Sequence, residues 1–215
     1  MNKDFVIIFD LDGTLLNTDL LIHESFEHVF KQYKPDYQLT KEEHLSFLGP
    51  PLMESFQRYF PKEMVDELVE CYREHNHSHH SEFVTIYPTV IETLKYLKEK
   101  GYSLGIVTTK YSEAAKIGLD LFDITQYFDV IIGGEMVENS KPHPEGIYKV
   151  MEKTGRKKGV MIGDNTSDIL SGKNANIYTI GVRWTPKGTK HIEALHPDLM
   201  INQMNEIIEF IERVS

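Results

Sequence analysis

The 215-residue chain carries a formal net charge of −10 and has no basic stripe to offset it, which argues against a nucleic-acid partner. Hydrophobic residues make up 40% of the chain and charged residues 26%, as is usual for a soluble globular protein. Cys71 is the only cysteine, so an intrachain disulfide is excluded, and no apolar run suits a signal sequence or a membrane span. We therefore expect a cytoplasmic protein with neither a membrane nor a nucleic acid as partner.

The first predicted element is an apolar run, Phe5–Phe9, followed by two acids, Asp10 and Asp12, and then by Gly13 and Thr14. A run this apolar is typical of a parallel strand that is covered on both faces. Two carboxylates so close together repel each other, and either a bound cation or unequal protonation would relieve that repulsion. Taken by itself, the stretch is explained equally well by a solvated turn after a strand.

Residues 17–83 show the spacing of several amphipathic helices and no strand signal. Thr40 and Glu43 have the spacing of a capping box at a helix start. Because the strand pattern resumes only after this block, we interpret the block as an insertion. The predicted domains are a core of residues 1–16 and 84–215 and a helical cap of residues 17–83.

Beyond the helical block, short apolar strands alternate with helices, one of which Ser112 is placed to cap. Such alternation predicts a parallel sheet with right-handed crossovers. The expected fold class is therefore α/β: a Rossmann-like three-layer core with a parallel sheet, and an all-helical cap domain inserted after the first strand. The later strands are predicted at Leu104–Val107, Phe128–Ile132, Gly159–Ile162, Ile177–Ile180 and Leu199–Ile201.

Polar residues stand at or near the ends of several predicted strands. In an open parallel sheet, ligands bind outside the carboxyl ends of the strands, so these side chains should meet at one edge. Each has a structural explanation on its own, as a helix cap or a surface cation, but their convergence favours a functional site. They are Asp10, Asp12, Thr108, Lys141, Asp164 and Asp168.

This set can bind a metal ion and a phosphate group together. Carboxylate oxygens of Asp10 and Asp164, with a backbone carbonyl and water, suit Mg²⁺, and the lack of Cys and His beside them argues against zinc. Thr108, its neighbour Thr109 and Lys141 can hold the phosphate oxygens. We therefore expect Mg²⁺ as cofactor and a small phosphorylated metabolite or pyrophosphate as substrate.

The two acids after the first strand can divide the catalytic work. Asp10 is free for in-line attack on phosphorus, while Asp12 can donate a proton to the leaving oxygen and later accept one from water. Phosphoryl transfer depends mostly on positioning and charge neutralisation, which the other residues supply. The predicted catalytic residues are Asp10, Asp12, Thr108 and Lys141.

Four short motifs stand in order along the chain. They are Asp10-Leu11-Asp12-Gly13-Thr14, Thr108, Lys141-Pro142 and Gly163-Asp164-Asn165-Thr166-Ser167-Asp168. With these motifs in this order, the chain resembles the haloacid-dehalogenase-like phosphohydrolases over its whole sheet domain. The resemblance implies an aspartyl-phosphate on Asp10, with Asp12 as general acid and base. It also implies Mg²⁺ held by Asp10, the Asp12 carbonyl and Asp164, with Asp168 behind these ligands.

Other stretches are similar to bacterial inorganic pyrophosphatases of the phosphoglycolate-phosphatase branch. This similarity makes inorganic pyrophosphate and phosphoglycolate the leading candidate substrates. We expect the cap to close over the substrate, and we expect a monomer or weak dimer. Asn17 stands where many relatives carry an acid, and Thr89 where a glycine is usual. The similar stretches are Asn17–Ile22, Val107–Lys110, Gly172–Ala175 and Gly181–Thr185.

Some residues have weaker signals. The resemblance implies that Gly49 and Pro50 belong to a cap loop that selects the substrate. A simple break between two helices also explains both residues. Arg183 and Lys187 are interpreted as solvated cations. Four histidines could bind a transition metal, but we favour a polar helix end on the cap; they are His75, His77, His79 and His80.

Two other functions are compatible with the motifs. A sugar-phosphate mutase, similar to beta-phosphoglucomutase, would also retain Asp12, but it would return the phosphate to a sugar instead of releasing it. A regulatory binding protein on the same scaffold would need no catalysis, yet every motif residue is intact. We therefore predict a hydrolase that acts on phosphate esters or anhydrides.

Overall fold

A computed structural model describes residues 4–215. Six strands form one sheet in the order β5-β4-β1-β6-β7-β8, and every neighbouring pair is parallel. Two further strands of two residues each, β2 and β3, pair with each other. The strands are β1 Phe5–Phe9, β2 Leu16–Asn17, β3 Thr85–Ile86, β4 Ser103–Val107, β5 Val130–Ile132, β6 Lys158–Gly163, β7 Tyr178–Val182 and β8 Leu199–Ile201.

Strand β1 lies in the middle of the six-stranded sheet, between β4 and β6. All five of its side chains are buried, as expected for a strand covered on both faces. On one face, Val6 and Ile8 pack with Ile147 and Val150 in a shared cluster. The ladder continues one residue past the strand, since the Asp10 amide donates to the Ile162 carbonyl at 2.8 Å. The carboxyl end of β1 is thereby fixed against the end of β6.

The helices fall into two groups along the chain. Five precede β3, and six alternate with the later strands, which confirms the predicted α/β fold class. In the part of the chain that the structure describes, none of them is both long and apolar enough to cross a membrane. The helices are α1 Asp19–Tyr33, α2 Lys41–Phe47, α3 Leu52–Gln57, α4 Val65–Ser78, α5 His80–Phe83, α6 Val90–Glu99, α7 Ser112–Leu121, α8 Glu145–Thr154, α9 Thr166–Asn174, α10 Lys190–Glu193 and α11 Ile207–Val214.

The chain divides into two compact units. The core unit contains the residues up to Leu16 together with Ile86–Ser215, and the helical unit contains Asn17–Thr85. The helical unit has an aromatic core in which Phe26 stacks on Phe47, with ring centroids 3.9 Å apart. The other buried members of this cluster are Val29, Phe30, Phe56, Phe60, Val65, Leu68, Val69 and Tyr72.

Local signals in the sequence place most elements correctly, but several element ends differ, and the short strand β3 was not predicted. The capping box at Thr40 forms as predicted, with its side chain accepting from the Glu43 amide at 3.3 Å. Ser112, in contrast, does not cap α7, because it is the first helical residue and its hydroxyl donates to Glu135. The strand predicted from Phe128 starts at Val130 instead, after a 3₁₀ turn.

Candidate functional site

Three buried carboxylates meet at the carboxyl edge of the sheet. Asp10 follows β1, Asp164 follows β6, and Asp168 lies in the first turn of α9. One oxygen from each lies within 4.8 Å of the other two, although Asp168 is 158 positions from Asp10 in the chain numbering. The parallel register places the ends of β1 and β6 side by side, with Phe9 paired to Ile162. The cluster therefore results directly from the sheet topology.

Lys141 neutralises part of this charge. Its ammonium lies 2.9 Å from Asp10 Oδ1 and 2.6 Å from Asp168 Oδ1, and it also donates to the Val107 carbonyl at 3.1 Å. The side chain is only 5% exposed, so solvent screens these pairs poorly. Lys141 alone cannot offset three ionised carboxylates, so the acids must either retain a proton or bind a cation.

Burial and mutual repulsion disturb the titration of the cluster. Burial, and then the charge of Asp168, raise the pKa of Asp10 to about 7, although Lys141 acts in the opposite direction. Burial, Asp10 and Asp168 also raise the pKa of Asp164 well above its ordinary value. Burial alone would lower the pKa of Lys141, but Asp10 and Asp168 outweigh that effect and raise it. A cation at this edge would favour the ionised acids.

The residues around Asp10 and Asp164 fit a hard divalent cation. Their oxygens are the ligand type that Mg²⁺ prefers, and any negative charge left after Lys141 needs an offset. Gly13 keeps the space beside them open, because a Cβ built on it would lie 2.6 Å from Asp164 Oδ2. Its φ of +79° is also one that glycine adopts easily. The loop after β1 is thus shaped around the Asp164 carboxylate.

A small pocket beside Lys141 has a mixed lining, in which Val107, Ile132 and Val137 are apolar members. Thr108, Thr109, Ser140 and Lys141 all contribute to its wall. Thr108 is buried at the end of β4, where its amide donates to the Ile132 carbonyl and its hydroxyl accepts from the Lys110 amide at 3.1 Å. The polar part of the lining includes hydroxyl groups and one ammonium, which are group types that bind phosphate oxygens.

Asp12 points to a different partner from Asp10. Its Oδ1 lies 3.2 Å from the ammonium of Lys110, and its side chain is 23% exposed. The two acids after β1 therefore have separate cations and unequal access to solvent. That difference in environment is what two carboxylates with different roles require.

A family model described as haloacid dehalogenase-like hydrolase matches residues 7–182 of the chain. The chain belongs to the haloacid dehalogenase-like hydrolase family. The matched range runs from within β1 to the end of β7 and therefore includes all six polar residues predicted to converge, from Asp10 to Asp168. The predicted family is confirmed, and with it the predicted enzyme class, a phosphatase hydrolase.

Several curated relatives of this family are similar over almost the whole chain. A protein named Pyrophosphatase PpaX from Anoxybacillus flavithermus is 45% identical over 207 residues, which cover 95% of both chains. A protein of the same name from Halalkalibacterium halodurans is 44% identical over 207 residues, again with 95% of both chains covered. The Bacillus mycoides protein of that name is 41% identical, with 97% of both chains covered.

Solved structures share the fold. A haloacid dehalogenase-like family hydrolase from Streptococcus pneumoniae superposes with a TM-score of 0.84 at 26% identity, covering 96% of this chain and 97% of the other. A beta-phosphoglucomutase from Clostridium difficile also superposes, with a TM-score of 0.82 at 21% identity, covering 97% of this chain and 95% of the other. The fold therefore does not distinguish a phosphatase from a mutase.

Two lysines of this hydrolase reach the site without having been predicted there. Lys110 pairs with Asp12, and Lys187 donates to Asn165 Oδ1, whose amide in turn donates to Asp164 Oδ1 at 2.8 Å. The interpretation of Lys187 as a solvated cation is therefore wrong. Arg183, in contrast, pairs with Glu193 on the surface. One sequence signal could have indicated Lys110, because it stands two positions after Thr108, which follows β4.

The remaining predicted residues lie in the helical unit of this hydrolase. Gly49 and Pro50 connect α2 to α3, and Gly49 has a φ of +107°. The histidines at the end of α4 have local partners: His75 contacts Ser25 at 3.2 Å, and His79 contacts the His75 carbonyl at 2.8 Å. His80 is buried and contacts the Asn76 carbonyl at 2.6 Å. None of these histidines, nor His77, belongs to a metal-competent group within residues 4–215.

Proposed function

We propose that this hydrolase is an Mg²⁺-dependent inorganic pyrophosphatase that works through an aspartyl-phosphate on Asp10. The observation that carries the choice of substrate is the identity of 41–45% to proteins named Pyrophosphatase PpaX, over at least 95% of both chains. Phosphoglycolate is the competing substrate, by resemblance to the phosphatases of the same branch. The geometry at the sheet edge supports the reaction class independently of the relatives.

Asp10 is the proposed nucleophile. One of its carboxylate oxygens attacks a phosphorus atom of pyrophosphate, and the bond from that phosphorus to the bridging oxygen breaks. The first phosphate leaves and the second stays on Asp10 as an acyl phosphate. Water then attacks this phosphate and releases it, which restores the carboxylate. Lys141, held 2.9 Å from Asp10, keeps the side chain in place and offsets the charge of the phosphate oxygens.

Asp12 is the proposed proton carrier. It donates a proton to the leaving oxygen in the first step and accepts one from the attacking water in the second, so that the proton balance closes over one turnover. Its partial exposure and its contact with Lys110 at 3.2 Å give it a site of its own, apart from the acids that surround Lys141. Thr108 and Thr109 are proposed to bind the phosphate oxygens from the pocket that they line.

Asp10, the Asp12 carbonyl and Asp164 are the proposed Mg²⁺ ligands. The bound ion supplies positive charge that stabilises both the ionised acids and the phosphate oxygens. Asp168 is proposed to support the site without binding the ion, because its oxygens already accept from Lys141 at 2.6 Å and from the Asn165 amide at 2.9 Å. Removal of divalent ions should therefore stop turnover.

Phosphate release tests the proposal. The protein with Mg²⁺ is assayed on pyrophosphate, phosphoglycolate, hexose phosphates and nucleotides, and pyrophosphate should give the highest kcat/KM. Asp10→Asn should lower kcat by several orders of magnitude, while Asp36→Asn, an equal change of charge on an exposed acid of the helical unit, should leave it unchanged. Near-normal turnover by a folded Asp10→Asn variant would contradict the mechanism. Preference for phosphoglycolate would contradict only the choice of substrate.

The same assay separates hydrolysis from mutase chemistry. The fold is shared with a beta-phosphoglucomutase, which makes transfer between sugar hydroxyls the second function to test. A mutase converts one hexose phosphate to another with little free phosphate. Isomerisation of a hexose phosphate faster than phosphate release from pyrophosphate would overturn the proposed pyrophosphatase activity.

A further inference from the structure

A second group of metal-ligand side chains lies in the helical unit, away from the acids of the core unit in the sequence. It consists of His23 and Glu27 on α1 and His44 on α2. One donor atom of each lies within 4.8 Å of the other two. Within residues 4–215, this group and the cluster of Asp10, Asp164 and Asp168 are the two sets of at least three such residues that meet this distance limit.

The local structure explains why the three side chains converge. His23 and Glu27 are four residues apart on α1, so they project from the same face of the helix. His44 comes from α2, where its ring packs against His23 with the ring centroids 3.8 Å apart. Its Nε2 lies 3.1 Å from Glu27 Oε1. Two helices thus direct two imidazoles and one carboxylate at a common point.

The donor set differs in kind from the acids of the core unit. Two imidazole nitrogens and one carboxylate oxygen are ligands that Zn²⁺ and its neighbours among the divalent transition metals prefer, whereas Mg²⁺ prefers oxygen alone. Three protein ligands leave a fourth position for water. Glu24 adds a supporting contact, because its carboxylate lies 3.3 Å from His23 Nδ1. Such a contact orients an imidazole that binds metal through its other nitrogen.

The group is reached from solvent. The side chains of His44 and Glu27 are 15% and 25% exposed, so the group is partly shielded but still open to an ion from solvent.

A second histidine group in the same unit serves as a comparison. His28, His75 and His79 stack through their ring faces, with centroids 4.6 Å apart for His28 and His75 and 4.1 Å for His75 and His79. The Nδ1 atoms of His75 and His79 already contact Ser25 and a backbone carbonyl. Within residues 4–215, these three histidines are not a set whose donor atoms all lie within 4.8 Å of one another.

We propose that His23, Glu27 and His44 form a Zn²⁺ site that links α1 to α2 in the helical unit. The site is separate in sequence and in ligand type from the proposed Mg²⁺ site, and it is not required for the pyrophosphatase proposal. Its consequence is structural: a bound ion holds the two helices together and stabilises the helical unit by binding the folded state alone.

Zinc binding tests this proposal directly. The full chain is freed of metal and titrated with Zn²⁺ by calorimetry in excess Mg²⁺, and binding of Co²⁺ is followed by its visible absorption, which reports tetrahedral nitrogen and oxygen ligands. We expect one Zn²⁺ per chain. Glu27→Gln, His23→Gln and His44→Ala should each weaken the affinity by about tenfold or more, and Zn²⁺ should raise the Tm of the wild type but not of these variants.

Two controls make the outcomes decisive. His79→Ala removes a histidine of the stacked group and should retain Zn²⁺ binding, as should Asp164→Asn in the core unit. Unchanged Zn²⁺ affinity in both Glu27→Gln and His23→Gln would overturn the proposal. Loss of Zn²⁺ binding in His79→Ala or in Asp164→Asn would overturn it too. Absence of Zn²⁺ binding to the wild type would do so as well, and would leave His44 and Glu27 as a hydrogen-bonded pair only.

Discussion

Burial of an ionised carboxylate costs free energy unless a partner offsets its charge. The proposed nucleophile Asp10 is such a carboxylate. It is 6% exposed and shares Lys141 with Asp168. A nucleophile needs the ionised form, yet burial and Asp168 raise its pKa to about 7. In the absence of a cation, ionised Asp10 therefore lowers the free energy of unfolding.

This conflict predicts how Asp10→Asn affects stability at different pH values. Asp10 has a pKa raised from 3.8 to about 7 in the folded protein, so the folded state binds the proton more tightly than the unfolded state. The stability of the wild type in EDTA should therefore decrease as pH rises from about 4 through 7. Asn is neutral throughout, and the variant should gain stability over the wild type across that range. Urea unfolding at several pH values measures the difference.

The expected gain of Asp10→Asn in EDTA is largest above the folded-state pKa and vanishes below about pH 3, where the wild-type acid is protonated in both states. Mg²⁺ should reverse the order at pH 8 by stabilising the wild type selectively. Asp36→Asn, on the surface of the helical unit, provides the matched change of charge and should show neither effect. A pH-independent difference would contradict the burial argument.

At the scale of elements, the loop after β1 determines the shape of the site. The chain leaves the sheet at Asp10 and turns at Gly13, whose amide donates to the Leu16 carbonyl at 2.8 Å. This turn brings the backbone against Asp164 at the end of β6, so closely that a side chain at Gly13 would contact the carboxylate. The glycine thus serves both the turn and the neighbouring acid.

A comparison of two glycines distinguishes the role of Gly13 in the turn from its role beside Asp164. Gly13 and Gly155 both have a positive φ, of +79° and +67°, but a Cβ at Gly155 would meet nothing within 4 Å. Alanine should therefore cost about 1–2 kcal/mol of stability at either position through backbone strain. Gly13→Ala should in addition lower Mg²⁺ affinity and kcat, whereas Gly155→Ala should leave both unchanged. Equal activity of the two variants would show that Gly13 serves only the turn.

At the scale of the whole molecule, each unit has a core of its own. The aromatic cluster around Phe26 is drawn entirely from residues 26–72, and the cluster around Val6 and Ile147 is drawn from the core unit. Packing within each unit is therefore continuous even though the core unit is discontinuous in sequence. Such units open locally with separate free energies.

Truncation of Phe26 should affect one unit selectively. Its ring is fully buried, and its centroid lies 5.0 Å from that of Phe56 and 4.9 Å from that of Tyr72. Phe26→Ala should therefore lower the free energy of unfolding by about 3–5 kcal/mol. Hydrogen exchange should show faster opening of α1 and α4, while β1 and β6 keep their protection. Ile147→Ala in the core unit is the reciprocal control. Equal acceleration in both units would show that they unfold as one.

The sequence alone determined the α/β class and the family, and it indicated which polar residues stand near strand ends. These follow from local chemistry, since hydrophobic periodicity specifies the elements and parallel strands bring their carboxyl ends to one edge. The roles given to Asp10, Asp12 and Thr108 follow from residue type and motif order, and they remain predictions for the assays above.

The tertiary structure alone decided how the charges are paired. Lys141 bridges Asp10 and Asp168, and Lys110 reaches Asp12 from 98 positions away. The convergence of His23 with His44 likewise depends on how α1 packs against α2. Sequence spacing does not specify these contacts, because the direction of a long side chain and the distance between remote residues are set by packing.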